Sequence, residues 1–230
     1  MLSLRLQYML MLSFVEENYL KAIYHLGGSK ASSIATNAIA EEMDTKPSSV
    51  TDMAKKLADK GLVSYVKYQG VSLTDLGTKT ALTIIRKHRL WEVFLVNKLD
   101  FTWDEVHEVA EQLEHIKSEK LIDKLDALLE YPRFDPHGDP IPSKTGEFPA
   151  REKKLLSDMP ISASGVCVGV KDTSSAFLKF LDKNNIALGQ TIQVLEREDF
   201  DDSIEISIEG RSLHISNQIA TNLYIKQHGS

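Results

Sequence analysis

Glu111, Glu114 and His115, preceded one turn earlier by His107, are the residues of this 230-residue chain best suited to chemistry. At helical spacing all four share one stripe, because residues three and four apart are neighbours on a helix surface. Two carboxylates and two imidazoles facing one way are a ligand set for a hard-to-borderline divalent cation. A second helical stretch offers His88 and Glu92, again four apart. A lone histidine is more often packed or solvated than a ligand, so the coincidence of two such groups carries the weight. Neither zinc-protease pattern, HExxH or its inverse, is matched. Cys167 is the only cysteine, which excludes a thiolate zinc site. Oxygen-rich ligation favours manganese or ferrous iron over copper or zinc.

The elements that must position these side chains follow from periodicity. Ser13 followed by Glu16 is a capping-box pattern and starts a helix over residues 14–26, with Val15, Tyr19, Ile23 and Leu26 as its apolar stripe. A short helix from Thr36 to Met43 buries Ala38, Ile39 and Met43. Pro47 then opens a third helix, Ser48 to Lys60, which Gly61 ends. LVSYVKY, a Gln69-Gly70 turn and VSLT make a two-stranded wing. Helix, helix, turn, helix, wing is the order of a winged helix-turn-helix.

A long helix runs from Thr78 through RKHRLWEVFLV, with Leu82, Ile85, Leu90, Phe94 and Leu95 as its apolar face. Helices from Asp104 to Ile116 and Ser118 to Leu129 follow. Their leucines and valines exceed what one short helix can hide, which predicts a dimer interface. From Tyr131, YPRFDPHGDPIPSKTGEFP holds five of the chain's seven prolines and reads as a semi-extended tether over the surface. GVCVGV, TIQVL, SIEISIEG and SLHISN then switch to strand period, with one helix from Ser174 to Asn184 and a Glu209-Gly210 hairpin turn. The fold class is a mainly α N-terminal winged helix-turn-helix plus helical dimerisation domain, followed by a small all-β barrel. The expected bounds are 1–77, 78–130, a linker over 131–157, and 158–230.

The net charge of −6 announces no nucleic-acid binder, yet affinity for phosphate depends on where charge sits. From Lys46 to Lys67 there are five lysines against two aspartates and no glutamate. In a recognition helix the first two turns meet base edges in the major groove. Here those turns hold Ser48, Ser49, Thr51 and Asp52, with Lys46, Lys55 and Lys56 for phosphates and Lys67 and Tyr68 at the wing tip. Asp52 repels phosphate unless a lysine or a cytosine amine engages it. The bland reading is a solvated lysine face, or a winged helix that docks protein.

One cysteine permits no intramolecular disulfide, which fits a reducing compartment, and cytoplasmic is the default. Cys167 itself, inside an apolar run, reads as a buried thiol. The start, MLSLRLQYMLMLSF, is too short to span a bilayer and has no small-residue cleavage site. Residues 1–12 read as a loose leader in which Met9 and Met11 could also initiate. The acidic run Glu196 to Asp202 reads as a solvated hairpin loop.

ENYLKAIYHL, KPSSVTDMAKKL, GVSLTDLG, RKHRLWEVFL, VHEVAEQLEH and DPHGDPIP stand in order along nearly the whole chain after residue 13. On these strings the chain resembles the diphtheria toxin repressor and manganese transport regulator family of metal-dependent repressors, in its three-domain form with an SH3-like C-terminal barrel. The resemblance implies an ancillary metal site at His88, Glu92 and His107. It implies a primary site at Glu111, Glu114 and His115, with Asn18 of the first helix as a further ligand. Glu111 stands where iron-type members carry cysteine, which tilts the metal towards Mn2+ with Fe2+ as the alternative. Asn18 stands where relatives use methionine or aspartate, and Lys21 where two-domain manganese regulators use glutamate. Lys21 would then neutralise a nearby carboxylate, and Asp172 lies about where a ligand from the barrel would come. A homodimer on a palindromic DNA operator, controlling metal-uptake genes and needing no membrane, is the implied function.

Two other classes remain in view. A winged-helix regulator of an organic ligand, with structural histidines, would bind DNA equally in chelator. A carboxylate–histidine metalloenzyme would need a nucleophile, phosphate loop or substrate cleft, and the sequence offers no such motif.

Overall fold

The computed structural model describes residues 12–28, 32–150 and 153–227. All but Leu12 of the leader over residues 1–12 lies outside them. The chain falls into two compact units: Met1–His88 with Gln112–Ser118 and Pro142–Glu147, and Arg89–Glu111 with Glu119–Ile141 and Phe148–Ser230.

The first unit begins with helix α1, Phe14–Gly27, which the expected capping box starts. Ser13 Oγ accepts from the Glu16 amide, and Glu16 Oε2 accepts from that of Ser13 at 2.7 Å. The buried face of α1 is Tyr19, Leu20, Ala22 and Ile23. Val15 and Leu26, expected on the stripe, are exposed, because the apolar face drifts off their positions at both ends. Helices α2, Thr36–Glu42, and α3, Pro47–Asp59, complete the helix-turn-helix. Ile39 is buried as expected, but Ala40 is the second anchor of α2, while Ala38 and Met43 are only half-buried. Leu20, Ile39, Leu57 and Leu62 form the centre of one apolar core.

The wing pairs β1, Val63–Val66, with β2, Gly70–Leu73, in antiparallel register. Its turn is Lys67–Gln69 rather than Gln69-Gly70, and Gly70 sits opposite Val66 inside the ladder. Gly70 has φ 106°, and a Cβ there would lie 2.4 Å from the Ile34 carbonyl oxygen. That close approach lets Ile34 and Val71 exchange two backbone hydrogen bonds, adding a third rung to the wing. Helix α4, Asp75–Leu99, starts three residues before Thr78, since Thr74 Oγ1 accepts from the Gly77 amide at 3.0 Å.

In the second unit, β4, Ser164–Val170, β5, Thr191–Arg197, β6, Ile204–Ile208, and β7, Arg211–Ile215, realise the four expected strand runs. Two further strands, β3, Lys154–Leu155, and β8, Leu223–Gln227, join them in one antiparallel sheet of order β3-β8-β4-β5-β6-β7. Bulges at Cys167/Gly169 and Val194/Glu196 bend β4 and β5 around a core that includes Ile192, Ile206 and Ile225. The β6–β7 turn is Glu209-Gly210 with φ of 51° and 82°, the mirror-image turn that suits a hairpin. The expected helix of this sheet domain is Ser175–Lys183, within the expected span, and a one-turn helix, Asn217–Ala220, which the sequence reading did not include, precedes β8.

Two expectations fail here for a physical reason. Helix α5 is Val106–Leu113, not Asp104 to Ile116, so Glu114 and His115 lie in the turn beyond its end. The Pro-rich segment is not merely a tether. Asp135 Oδ1 accepts from the amides of His137 (2.9 Å) and Asp139 (2.8 Å), closing a turn that buries Asp135, His137 and Ile141. Gly138, φ 80°, passes so close to β4 that a Cβ would lie 2.0 Å from the Val168 carbonyl oxygen.

Candidate metal centre and nucleic-acid interface

In the first unit, buried carboxylates and imidazoles of α1, α4 and the turn after α5 meet. Glu114 is fully buried. Lys21 Nζ donates to both its oxygens, at 2.8 and 3.0 Å, and His88 Nδ1 lies 2.6 Å from Oε2. Burial alone would raise the Glu114 carboxyl pKa; His88 and Lys21 together outweigh it and hold the group below its ordinary value. The expectation that Lys21 neutralises a carboxylate therefore matches what the fold builds.

His115 is 8% exposed and stacks on Phe14 with ring centroids 4.5 Å apart. Its Nδ1 lies 2.6 Å from Glu17 Oε2, and Lys117 Nζ lies 2.5 Å from the other oxygen of Glu17. Lys87 is buried nearby, where burial first, and Lys117 after it, push its ammonium down in pKa. Asn18, on the same helix as Glu17, has its Oδ1 buried with no hydrogen-bond partner among the described residues. A buried carbonyl-type oxygen without a partner is costly unless something else fills its lone pairs. Asn18, Glu114 and His115 thus offer an amide oxygen, a carboxylate and an imidazole, a donor set that fits Mn2+ or Fe2+.

In the second unit, Glu92 of α4 is buried and lies 3.5 Å from His107 Nδ1. His107 Nε2 lies 3.5 Å from Glu111 Oε1, and hydrogen bonds to Glu111 and Glu92 push the imidazole up to about 9. The stripe seen in the sequence is therefore split: His107 and Glu111 are exposed, whereas Glu114 and His115 are buried. Glu92 also lies 3.7 Å from His137 Nδ1. Glu92, Asp135 and His137, all buried, each place one donor atom within 4.8 Å of the others. Burial, and next the Glu92 charge, push the Asp135 carboxyl up to about 8, against the opposing pull of Arg89. His137 Nε2 engages the Trp103 carbonyl oxygen at 2.7 Å, which fixes the ring.

Sequence reasoning missed Glu17, Asp135 and His137. Glu17 reads as an ordinary first-turn acid, and only its burial marks it out. The DPHGDP string did carry a signal, an aspartate two residues before a histidine at a glycine turn. Asp172, by contrast, accepts at 2.8 Å from the amide of Ser174, the residue that caps the helix Ser175–Lys183.

The candidate DNA-facing side chains occupy α3 and the wing. Lys46, Ser48, Ser49, Asp52 and Lys55 are exposed, while Thr51 is half-buried and donates to the Pro47 carbonyl oxygen. Asp52 Oδ1 lies 3.5 Å from Lys55 Nζ, so a lysine does engage the awkward carboxylate. Tyr68 at the wing tip is 93% exposed with φ 67°, and the Lys67 ammonium sits 4.9 Å from its ring centroid.

Residues 11–71 match the iron dependent repressor N-terminal DNA-binding domain, 74–143 the iron dependent repressor metal-binding and dimerisation domain, and 154–227 the FeoA domain. The HTH-type transcriptional regulator MntR of Oceanobacillus iheyensis is 35% identical over 119 residues, covering 52% of this chain and 80% of that protein. Iron-dependent repressor IdeR of Mycobacterium leprae is 33% identical over 162 residues, covering 67% of this chain and 70% of that one. A probable metal transport system membrane protein of Chlamydia trachomatis is 46% identical over 89 residues, 39% of this chain, but the match spans only 20% of that protein. Among solved structures, a manganese-dependent transcriptional repressor in complex with manganese superposes with a TM-score of 0.80 at 33% identity, covering 93% of this chain and all of that one. ScaR with bound Zn2+ gives 0.71 at 37% identity, covering 93% and 99%.

Proposed function

This chain belongs to the iron-dependent repressor family, and from that premise we propose that it is a metal-dependent, DNA-binding transcriptional repressor controlling metal-ion uptake genes, with Mn2+ favoured and Fe2+ the alternative. The observation that carries this reading is the buried Asn18 oxygen, unpartnered among the described residues, on the same unit as buried Glu114 and His115 and the winged helix. Asn18, Glu111, Glu114 and His115 make the primary site, and His88, Glu92 and His107 the ancillary one. Asn18 of α1 and Glu114 of the turn after α5 would hold a divalent cation, whose charge and directed coordination would tie α1 to that turn.

The protein's own groups do the rest. Glu17 holds Nδ1 of His115, which leaves Nε2 as the donor atom. The first turns of α3 read base edges through Ser48, Ser49 and Thr51, while Lys46, Lys55, Lys67 and Tyr68 bind backbone. Leu121 and Leu128, exposed on the helix Glu119–Leu128, belong to the homodimer interface. Two recognition helices then span about one helical turn of a palindromic operator. Metal and operator affinities are reciprocally coupled, typically by about 1–3 kcal/mol. The domain bounds that go with this reading are 1–77, 78–130, a linker over 131–157, and 158–230. No helix among the described residues is long and apolar enough to cross a membrane, and we place the protein in the cytoplasm as a regulator rather than an enzyme.

The test is fluorescence anisotropy of a labelled duplex from the upstream region of a metal-uptake gene, in chelator, with Mn2+, and with anaerobic Fe2+. Binding that appears only with metal supports the reading, and the metal with the lower threshold is the co-repressor. Equal binding in chelator would instead favour a regulator of an organic ligand.

A further inference from the structure

Lys21 is placed to do more than balance charge. It follows Asn18 by three residues on α1, so its side chain and the Asn18 amide share one face of that helix. Its ammonium engages both oxygens of Glu114, and the lysine side chain is only 12% exposed. The carboxylate that would bind a cation therefore already has one. Around Glu114 and Glu17 stand three lysines, since Lys117 pairs with Glu17 and buried Lys87 feels the charge of both carboxylates. Asn18, where a carboxylate would add negative charge, adds none. A divalent ion arriving at Glu114 meets an ammonium at contact distance, which is repulsive and is weakly screened where the groups are buried.

We propose that Lys21 is an internal counter-cation: it links α1 to Glu114 in the metal-free protein and competes with the metal for that carboxylate, so that it sets the metal concentration at which the protein responds. The inference rests on the functional reading above, and on Glu114 in particular. Lys21 is a positioning residue here, acting on metal through Glu114. Removing its charge has two opposite effects. It loosens the metal-free protein, because buried Glu114 keeps His88 but loses its ammonium partner, and it tightens metal binding.

The experiment titrates Mn2+ against a fluorescent chelator with the full chain, comparing the wild type with Lys21→Met, Lys21→Arg and Glu114→Gln. A thermal melt in excess chelator gives a second readout that needs no metal. Lys21→Met is expected to bind Mn2+ about tenfold more tightly, the order of effect of one nearby unit charge, and to melt lower in chelator. Lys21→Arg, which keeps the charge, is expected to stay near the wild type in both. Equal or weaker Mn2+ binding in Lys21→Met overturns the proposal, as does equal tightening in Lys21→Arg. Should Lys21→Met fail to fold, Lys21→Gln carries the same comparison. Binding lost in Glu114→Gln but indifferent to Lys21 sinks this inference alone. Binding indifferent to Glu114→Gln sinks the site reading, and the inference with it.

Discussion

Glu17 Oε2 lies 2.6 Å from His115 Nδ1, and both side chains are buried. A carboxylate at that nitrogen selects the tautomer with its proton on Nδ1 and turns Nε2 outward as the ligand atom. Partners of this kind typically govern about 10–100-fold of metal affinity. Glu17→Gln is therefore expected to weaken Mn2+ binding by about tenfold or more, read by chelator competition. Unchanged affinity would remove Glu17 from the site.

Glu16, one residue earlier, gives an acid-stability prediction. Burial opposes its ionisation, but the hydrogen bond to Lys60, the Ser13 amide and the charges of Lys60 and Lys56 win, lowering its pKa to about 2. A folded pKa below the unfolded one stabilises the fold in full above the ordinary glutamate range. That contribution shrinks as pH falls from about 4.5 to about 2, and is gone below both. Its ceiling is roughly 3 kcal/mol. Glu16→Gln, which keeps an oxygen for the Ser13 amide, is expected to lower stability at pH 7 and flatten the acid limb of a denaturant-midpoint profile. A parallel acid limb would contradict this.

Lys55 on α3 is exposed, and its ammonium pairs with Asp52 at 3.5 Å. As a phosphate ligand it contributes affinity without sequence information. Lys55→Ala is expected to weaken binding to operator and random duplex alike, and to reduce the slope of log affinity against log salt by about 1. An effect confined to the operator would make it a base-reading residue.

Cys167, 1% exposed on β4, has its thiol pushed up to about 11 by burial. At pH 8 the native thiol is expected to react with a disulfide reagent about a hundredfold more slowly than in denaturant. Rapid labelling of the native chain would mean that the strand opens locally.

Much of this was legible because local chemistry and tertiary packing agree. The Ser13–Glu16 box, Pro47 at the start of α3 and Glu209-Gly210 each act within a few residues, and each appears where the sequence puts it. The metal-ligand pattern was legible as residue types, but its division was not. No glycine or proline marks the end of α5 at Leu113, so the periodic pattern ran on through Glu114 and His115. What turns Glu114 inward is a lysine 93 residues away in sequence, which no local window contains. Strand β8 was missed because LYIKQ is five residues near the chain end, and its pairing with β4 supplies the evidence that its composition lacks.

The turn at Asp135–Asp139 has a consequence for dissection. The His137 carbonyl oxygen accepts from the Val170 amide at 2.9 Å, and Gly138 lies against the Val168 carbonyl with no room for a side chain. The sheet domain therefore borrows part of its wall from a segment that precedes its first strand. A protease or a cloning boundary placed at residue 153 would not release a self-sufficient module; it would strip a flank from β4 and leave a backbone amide facing water. The natural unit of excision starts before Phe134, and modularity in this protein is cut along a different line from the one its prolines suggest.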